Sequence, residues 1–261
     1  MALPARATLE QDRAGVFFCE TLQELTMRQW KVRVSFVISL TVAISASVLA
    51  TTFVEDFSAM PTGTCYPDGS AIGVWQFVYN GYGCNGFVAS NSNTMLFEQP
   101  ATSISPTETH GALVTGPYIS GDFKLQVSAA TTGQLRLNSA PNAWEVAWVL
   151  WHYTDDTHFY YFIPKPNGWE LGKEDPAYPG AQRFLASGTS PVFPIGQWYR
   201  IGIAQSGQTI QVSVNDVLIT TFTDGERPYS SGRVGLYSED AEVYFDNVSV
   251  ITSTAAKKVR R

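Results

Sequence analysis

The stretch Ala143–Lys173, AWEVAWVLWHYTDDTHFYYFIPKPNGWELGK, leaves few folds open to this chain. It holds four of the seven Trp and two of the three His, and it reads as three β-strands joined by two turns. Along residues 144–153 the side chains of a strand alternate between two faces. Trp144, Val146, Trp148, Leu150 and His152 share one face; Glu145, Ala147, Val149, Trp151 and Tyr153 share the other. Both sets carry large rings, whereas a strand with one solvated face alternates apolar with polar. One set therefore packs a core. The other faces a ligand or lies beneath a loop, for which the Gly/Asn/Ser-rich region 58–95 is the candidate. Flat rings exposed on a sheet suit the C–H faces of sugar rings.

The rest of the chain agrees with an all-β protein. No helical period stands out after residue 50. Short β-branched and aromatic runs recur instead, at 52–57, 95–98, 112–115, 121–129, 134–137, 183–186, 198–204, 209–214, 218–222, 234–238 and 242–250. In 121–129, Phe123, Leu125 and Val127 alternate with Asp122, Lys124 and Gln126. Asn215-Asp216 joins two runs as a tight hairpin turn, since both residues tolerate positive φ. No linker or internal repeat interrupts the series. About a dozen strands in one domain, 51–252, predict a jelly-roll sandwich of two antiparallel sheets.

The N-terminal segment and the cysteines predict an exported domain. Met27–Arg33 reads as the positive n-region of a signal peptide over 27–50, Val34–Leu49 as its apolar core, and Val48-Leu49-Ala50 as its cleavage site. Residues 1–26 then form a passive or non-native leader, and 253–261 a solvated basic tail. The alternative is an uncleaved anchor, although the apolar run is slightly short of the ~20 residues a spanning helix needs. From Thr51 onward 12 Lys and Arg face 19 Asp and Glu, a net −7, which disfavours nucleic acid and is neutral toward uncharged glycans. Cys19 lies in the leader. Cys65 and Cys84 remain as an even pair in an exported chain, so a disulfide is predicted between them. It would close a loop of about 20 residues and contribute about 3 kcal/mol.

Three segments carry a family likeness: HYTDDTHFYYFIPKPNGWELGK, FPIGQWYRIGIAQSGQTIQVSVNDVLITTFTD and SGRVGLYSEDAEVYFDNVSV. Together they resemble the concanavalin A-like lectin/glucanase superfamily, over about Phe53 to Val250. The nearest branch holds laminin-G-like modules and the 3-keto-disaccharide hydrolase-like, family-16-type glycoside hydrolase domains. The resemblance implies a jelly roll whose first and last strands are neighbours, with ligands in the concave sheet or at its rim. It implies no single activity, because that superfamily contains lectins, binding modules, hydrolases and lyases. In many members a structural calcium ties the first strand to the last; the equivalent positions here are Glu55, Asp56 and Asp246. Hard oxygen ligands of this kind suit calcium.

The residues offer several chemistries. A glycosidase needs two carboxylates on one accessible surface. The Glu-x-Asp-x-x-Glu run of family-16 glucanases is absent, and Glu145 with Glu170 is the best remaining pair. A lyase would use His152 or Tyr160 as base or acid. For binding, Trp148, Trp151, Tyr153, Tyr160 and Trp169 are stacking candidates, and Lys173 and Arg183 polar contacts, although parity sends some of these rings to the core. Zinc lacks a ligand run. The first expectation is an exported monomer that binds a polysaccharide or oligosaccharide. A glycoside hydrolase or polysaccharide lyase is the alternative, and a structural or adhesive surface protein the third.

Overall fold

Alternation of apolar and polar side chains builds a two-layer sandwich in the computed structural model, which describes residues 49–91 and 93–254. The expected leader and most of the expected signal peptide and basic tail lie outside those residues. Sixteen strands run among the described residues, with no helix. Sheet 1 contains β1 (Leu49–Glu55), β4 (Cys84–Ser90), β5 (Asn93–Gln99), β7 (Asp122–Gln134), β12 (Trp198–Ser206), β13 (Thr209–Val214), β14 (Val217–Thr223) and β16 (Ala241–Thr254). Its order is β14-β13-β12-β7-β16-β5-β4, with β1 also paired to β16. Sheet 2 contains β2 (Ala71–Ile72), β3 (Trp75–Tyr79), β6 (Gly111–Ser120), β8 (Ala147–Asp155), β9 (His158–Lys165), β10 (Gly168–Glu174), β11 (Gln182–Gly188) and β15 (Ser231–Glu239). Its order is β11-β10-β9-β8-β15-β6-β3-β2. All pairings are antiparallel, as a jelly roll requires.

The first and last strands are neighbours, as the family likeness implied: Leu49 pairs with Thr254 and Glu55 with Val248. Leu49, Ala50, Ser253 and Thr254 therefore belong to the sandwich, which runs two residues past each expected boundary. The region 58–95, expected as a pinned loop, supplies β2, β3 and β4 as well as the predicted Cys65–Cys84 disulfide. Trp75, Phe77 and Phe87 from it enter the core with Phe57. It extends an edge of each sheet, and from it Val78 and Tyr79 reach the outer apolar cluster that includes the meander.

The main core sits between the sheets. Phe123, Leu125 and Val127 of β7 and Ile201 and Ile203 of β12 meet Val149 and Trp151 of β8, Tyr160 and Phe162 of β9 and Leu171 of β10. A second apolar cluster lies on the outer face of sheet 2. It joins Leu113, Val146, Trp148, Leu150, Tyr161 and Ile163, with Tyr79, Tyr153, Phe159 and Tyr237 packed against it. The meander is thus apolar on both sides because one side fills the sandwich and the other forms this external cluster.

Candidate functional site

The outer face of sheet 2 carries a cleft of about 340 Å³ built by β8 to β11 and the end of β15. Alternation along three strands decides what enters it. On β8, Trp148 points outward while Val149 and Trp151 point inward. On β9, Tyr161 and Ile163 point outward while Tyr160 and Phe162 point inward. On β10, Glu170 opposes Ile163 on the same outer side, while Trp169 and Leu171 enter the core. The cleft is lined by Trp144, Trp148, Ile163, Lys165, Glu170, Gln182, Phe184 and Glu239. Trp144 is 44% exposed and Phe184 62% exposed, so both present a ring to solvent. Trp148 forms the floor; its indole Nε1 donates to the Trp144 carbonyl (2.7 Å) and its ring packs on Tyr161 and Tyr237.

Polar groups are fixed around these rings. Lys165 Nζ donates to Glu170 Oε2 (2.9 Å) and Tyr161 Oη to Glu170 Oε1 (3.0 Å). Gln182 Nε2 donates to Tyr161 Oη (3.1 Å), which closes a short chain across three strands. Gly172 makes room for it: a Cβ there would stand 2.2 Å from the Tyr161 ring. At the far wall Tyr237 Oη donates to Glu239 Oε1 (2.7 Å). Burial raises the Glu239 carboxyl above the usual range. On β10, burial raises Glu174 to about 7, with the Glu239 charge adding to it. A carboxyl near neutral pKa, as at Glu174, can hold or release a proton at physiological pH.

Other expected site residues stand elsewhere. Trp151 and Tyr160 are fully buried between the sheets, and Trp169 packs inward with its Nε1 on the Ser190 carbonyl (3.0 Å). They serve the core and cannot stack on a sugar from solvent. Lys173 is also fully buried, on the inward parity of β10. Its Nζ donates to Asp224 Oδ2 (2.7 Å) and to the Glu226 and Arg227 carbonyls. Tyr160 Oη donates to the same Asp224 oxygen (2.7 Å), and Arg183 reaches Asp224 Oδ1 at 3.7 Å. Burial pushes Asp224 up, but the hydrogen bonds from Lys173 and Tyr160 outweigh it and hold the carboxylate below its usual range. Lys173, Tyr160 and Arg183 thus form a structural ion network.

Glu145 precedes β8 and is fully buried, bound to Arg136 Nε (2.6 Å). Arg136 Nη2 also binds Asp240 Oδ2 (2.6 Å), so this ion trio lies beneath the Trp144 and Glu239 end of the cleft. Glu145 is occupied there and does not share an accessible surface with Glu170. The parity expected for His152 and Tyr153 also reverses. β8 carries a bulge, since its pairing to β9 jumps from Trp151–Tyr160 to Asp155–His158 and His152 has φ 54°. His152 turns inward against Phe123 and Tyr160, and Tyr153 turns outward beside Phe159. His152 is 1% exposed with both ring nitrogens unpartnered, and burial lowers its pKa to about 4. It is neutral and inaccessible, which does not suit a catalytic base.

The three expected calcium ligands each have separate protein donors. Glu55 Oε1 accepts from Phe57 N (2.9 Å), and Asp56 Oδ1 accepts from the Ser58 hydroxyl (2.7 Å) and amide (3.0 Å). Asp246 accepts from Asn93 Nδ2 (2.8 Å) and Asn247 N (2.7 Å). No group of three or more His, Cys, Asp or Glu side chains converges at metal spacing among the described residues.

Trp144, Phe184, Gln182, Glu174 and Glu239 belong to or border the cleft but were not singled out from sequence. A signal existed for two of them: Trp144 shares the parity of Trp148, and Glu174 shares that of Glu170.

No curated protein sequence matches the chain. Among solved structures it is similar to the carbohydrate-binding module CBM66 from Bacillus subtilis, at 15% identity over 71% of this chain and 100% of that one, TM-score 0.50. It is also similar to a galectin-like-fold protein of unknown function from Bacillus subtilis, at 12% identity over 75% and 99% of the two chains, TM-score 0.49. Domain 4 of a GH43 extracellular arabinanase from Geobacillus stearothermophilus, solved with arabinotriose, matches at 10% identity over 81% and 95%, TM-score 0.47. At these identities the first likeness speaks for the fold alone. The model of the 3-keto-alpha-glucoside-1,2-lyase-like domain matches residues 68–251, most of the sandwich including every strand of the cleft, and the chain belongs to that family.

Proposed function

We propose that this protein recognises a saccharide outside the cell through the outer face of sheet 2. The observation that carries the reading is the cleft itself: two solvent-facing rings, Trp144 and Phe184, flank the Trp148 floor, with Glu170, Lys165, Gln182 and Glu239 at hydrogen-bonding positions around it. Apolar walls with a few fixed polar groups are what a small-ligand site needs. The carbohydrate-binding module with a similar fold supports the class of ligand, and the disulfide is consistent with an oxidising location. The test is affinity electrophoresis in gels containing soluble polysaccharides. Trp144→Ala and Phe184→Ala should each weaken retardation at least about fivefold, as loss of an anchoring aromatic does. Wild-type retardation by those variants would remove the cleft from recognition.

A second reading, bond cleavage, is favoured by the raised Glu174 and Glu239 carboxyls beside the cleft. The family description suggests the chemistry. In a 3-keto-α-glucoside the proton on C2 is acidified by the neighbouring ketone. A base takes that proton, its electron pair forms the C1=C2 bond, and the C1–O bond breaks with protonation of the departing oxygen. No oxidant is consumed. Enone absorbance on incubation with a 3-keto-glucoside, lost in Glu174→Gln or Glu239→Gln, would establish an eliminating enzyme. Binding without product would leave recognition alone.

A further inference from the structure

The opposite side of the sandwich carries a second, longer depression. On the outer face of sheet 1, three clefts of about 380, 320 and 510 Å³ follow β12 from Trp198 to Ser206. The second and third share Lys124, Ala204, Gln211 and Ile251 and form one groove; the first, around Trp198, shares no lining residue with them and follows on along β12, Arg200 lying two residues before Gly202. The strand beneath has 9 residues, which at ~3.3 Å per residue gives a path of ~30 Å.

Its floor follows from the alternation of β12. Ile201 and Ile203 go to the core, so Trp198, Arg200, Gly202 and Ala204 face outward. Gly202 and Ala204 are small and leave a trough between Leu218 of β14 and Ile251 of β16, both exposed. Gln126 of β7 and Gln211 of β13 flank the trough, and neither side chain has a hydrogen-bond partner among the described residues. At one end Trp198, 45% exposed, stands beside Asn93, Asn215 and Asp246. Asp246 is 5% exposed and is held by Asn93 and Asn247. Charges along the path balance: Lys124 and Arg200 line it against Asp122 and Asp246. Arg200 pairs with Asp216, Asp122 accepts from Ser206 and Gly207, and Lys124 has no ion-pair partner among the described residues.

We infer that this groove is a second saccharide-binding surface, which takes an extended, uncharged polysaccharide chain with one sugar ring on Trp198. A lining whose charges balance, with no basic stripe, matches an uncharged chain better than a polyanion. Free amides on both sides of a narrow floor match the hydroxyls that project from both edges of a sugar chain. The length accommodates several residues of such a chain. The choice of a saccharide rests on the reading above; the groove itself does not. Because the two surfaces lie on opposite sheets, one molecule would engage two chains, and simultaneous engagement raises apparent affinity without new contacts.

The experiment uses the full chain and four probes, soluble β-glucan, xylan, arabinan and levan, each in native gels and in light scattering. Variants are Trp198→Ala, Ala204→Phe to fill the trough, Trp144→Ala on the other face, and the Trp144/Trp198 double variant. Trp198→Phe tests for rescue, and thermal melting confirms that each variant is folded. The expected result is a loss of at least about fivefold in binding for Trp198→Ala, partial recovery in Trp198→Phe, and no retardation in the double variant. Cross-linking, read as growth in scattering, should require both faces. Wild-type retardation and scattering in folded Trp198→Ala and Ala204→Phe would overturn the second surface and leave the first intact. No retardation of the wild type by any probe would overturn both.

Discussion

His152 makes the sandwich acid-sensitive through one identifiable group. Its ring is 1% exposed, both nitrogens lack partners, and burial depresses its pKa to about 4 from the ordinary 6.5. Below pH 6.5 the unfolded chain binds a proton that the folded one refuses, so stability falls as pH drops from 6.5 toward 4. The difference of about 2.5 pH units corresponds to about 3 kcal/mol at 1.36 kcal/mol per unit. Tyr160 and Tyr229 supply no negative charge to offset it, since both phenols are held neutral with raised pKa values, by burial first. The perturbation is His152→Asn, which tolerates φ 54° and does not titrate. Urea unfolding of both proteins at pH 7, 6, 5 and 4 gives the stability difference at each pH. Any cavity cost is constant across the series, and carboxylate titrations are common to both proteins. The advantage of the wild type should shrink by about 3 kcal/mol between pH 7 and pH 4. A difference constant within about 0.5 kcal/mol would show that His152 is not buried in its neutral form.

Two further perturbations probe the packing. Asp224→Ala removes the carboxylate that accepts from both Lys173 and Tyr160 and leaves the buried Lys173 ammonium with backbone carbonyls and the more distant Asp175 Oδ2 at 3.6 Å; denaturant unfolding at pH 7 should show a loss of about 3 kcal/mol. A loss below about 1 kcal/mol would mean that Asp175 or water takes over the Lys173 charge. Gly172→Ala forces the Tyr161 ring off its present seat, 2.2 Å from the new Cβ, at a cost of about 1–3 kcal/mol. It should also weaken saccharide retardation, since Tyr161 links Gln182 to Glu170; unchanged binding would separate that chain of hydrogen bonds from the site.

What the sequence determined was local. Alternation in 121–129, paired positive-φ residues at Asn215 and Asp216, and an even cysteine pair each depend on near neighbours or on a count, and the structure has all three. The three-strand meander was legible for the same reason, and so was the fact that both of its faces are apolar. What each face meets was not local. The β8 parity reverses at His152 where its neighbour β15, 80 residues away in sequence, brings Gly232 against the His152 backbone. Lys173 and Arg183 are residue types of the surface; the approach of Asp224 makes Lys173 internal, while Arg183 stays partly exposed between Asp224 and Glu226. Phe184 and Trp144 become two walls of one cleft through the strand order β11-β10-β9-β8. Alternation divides a strand into two faces with a period of two, but it has no power to say which face another layer will cover. That is decided when distant segments exclude water together, and here it moved the candidate site from the most aromatic strand positions to the rings the sandwich left outside.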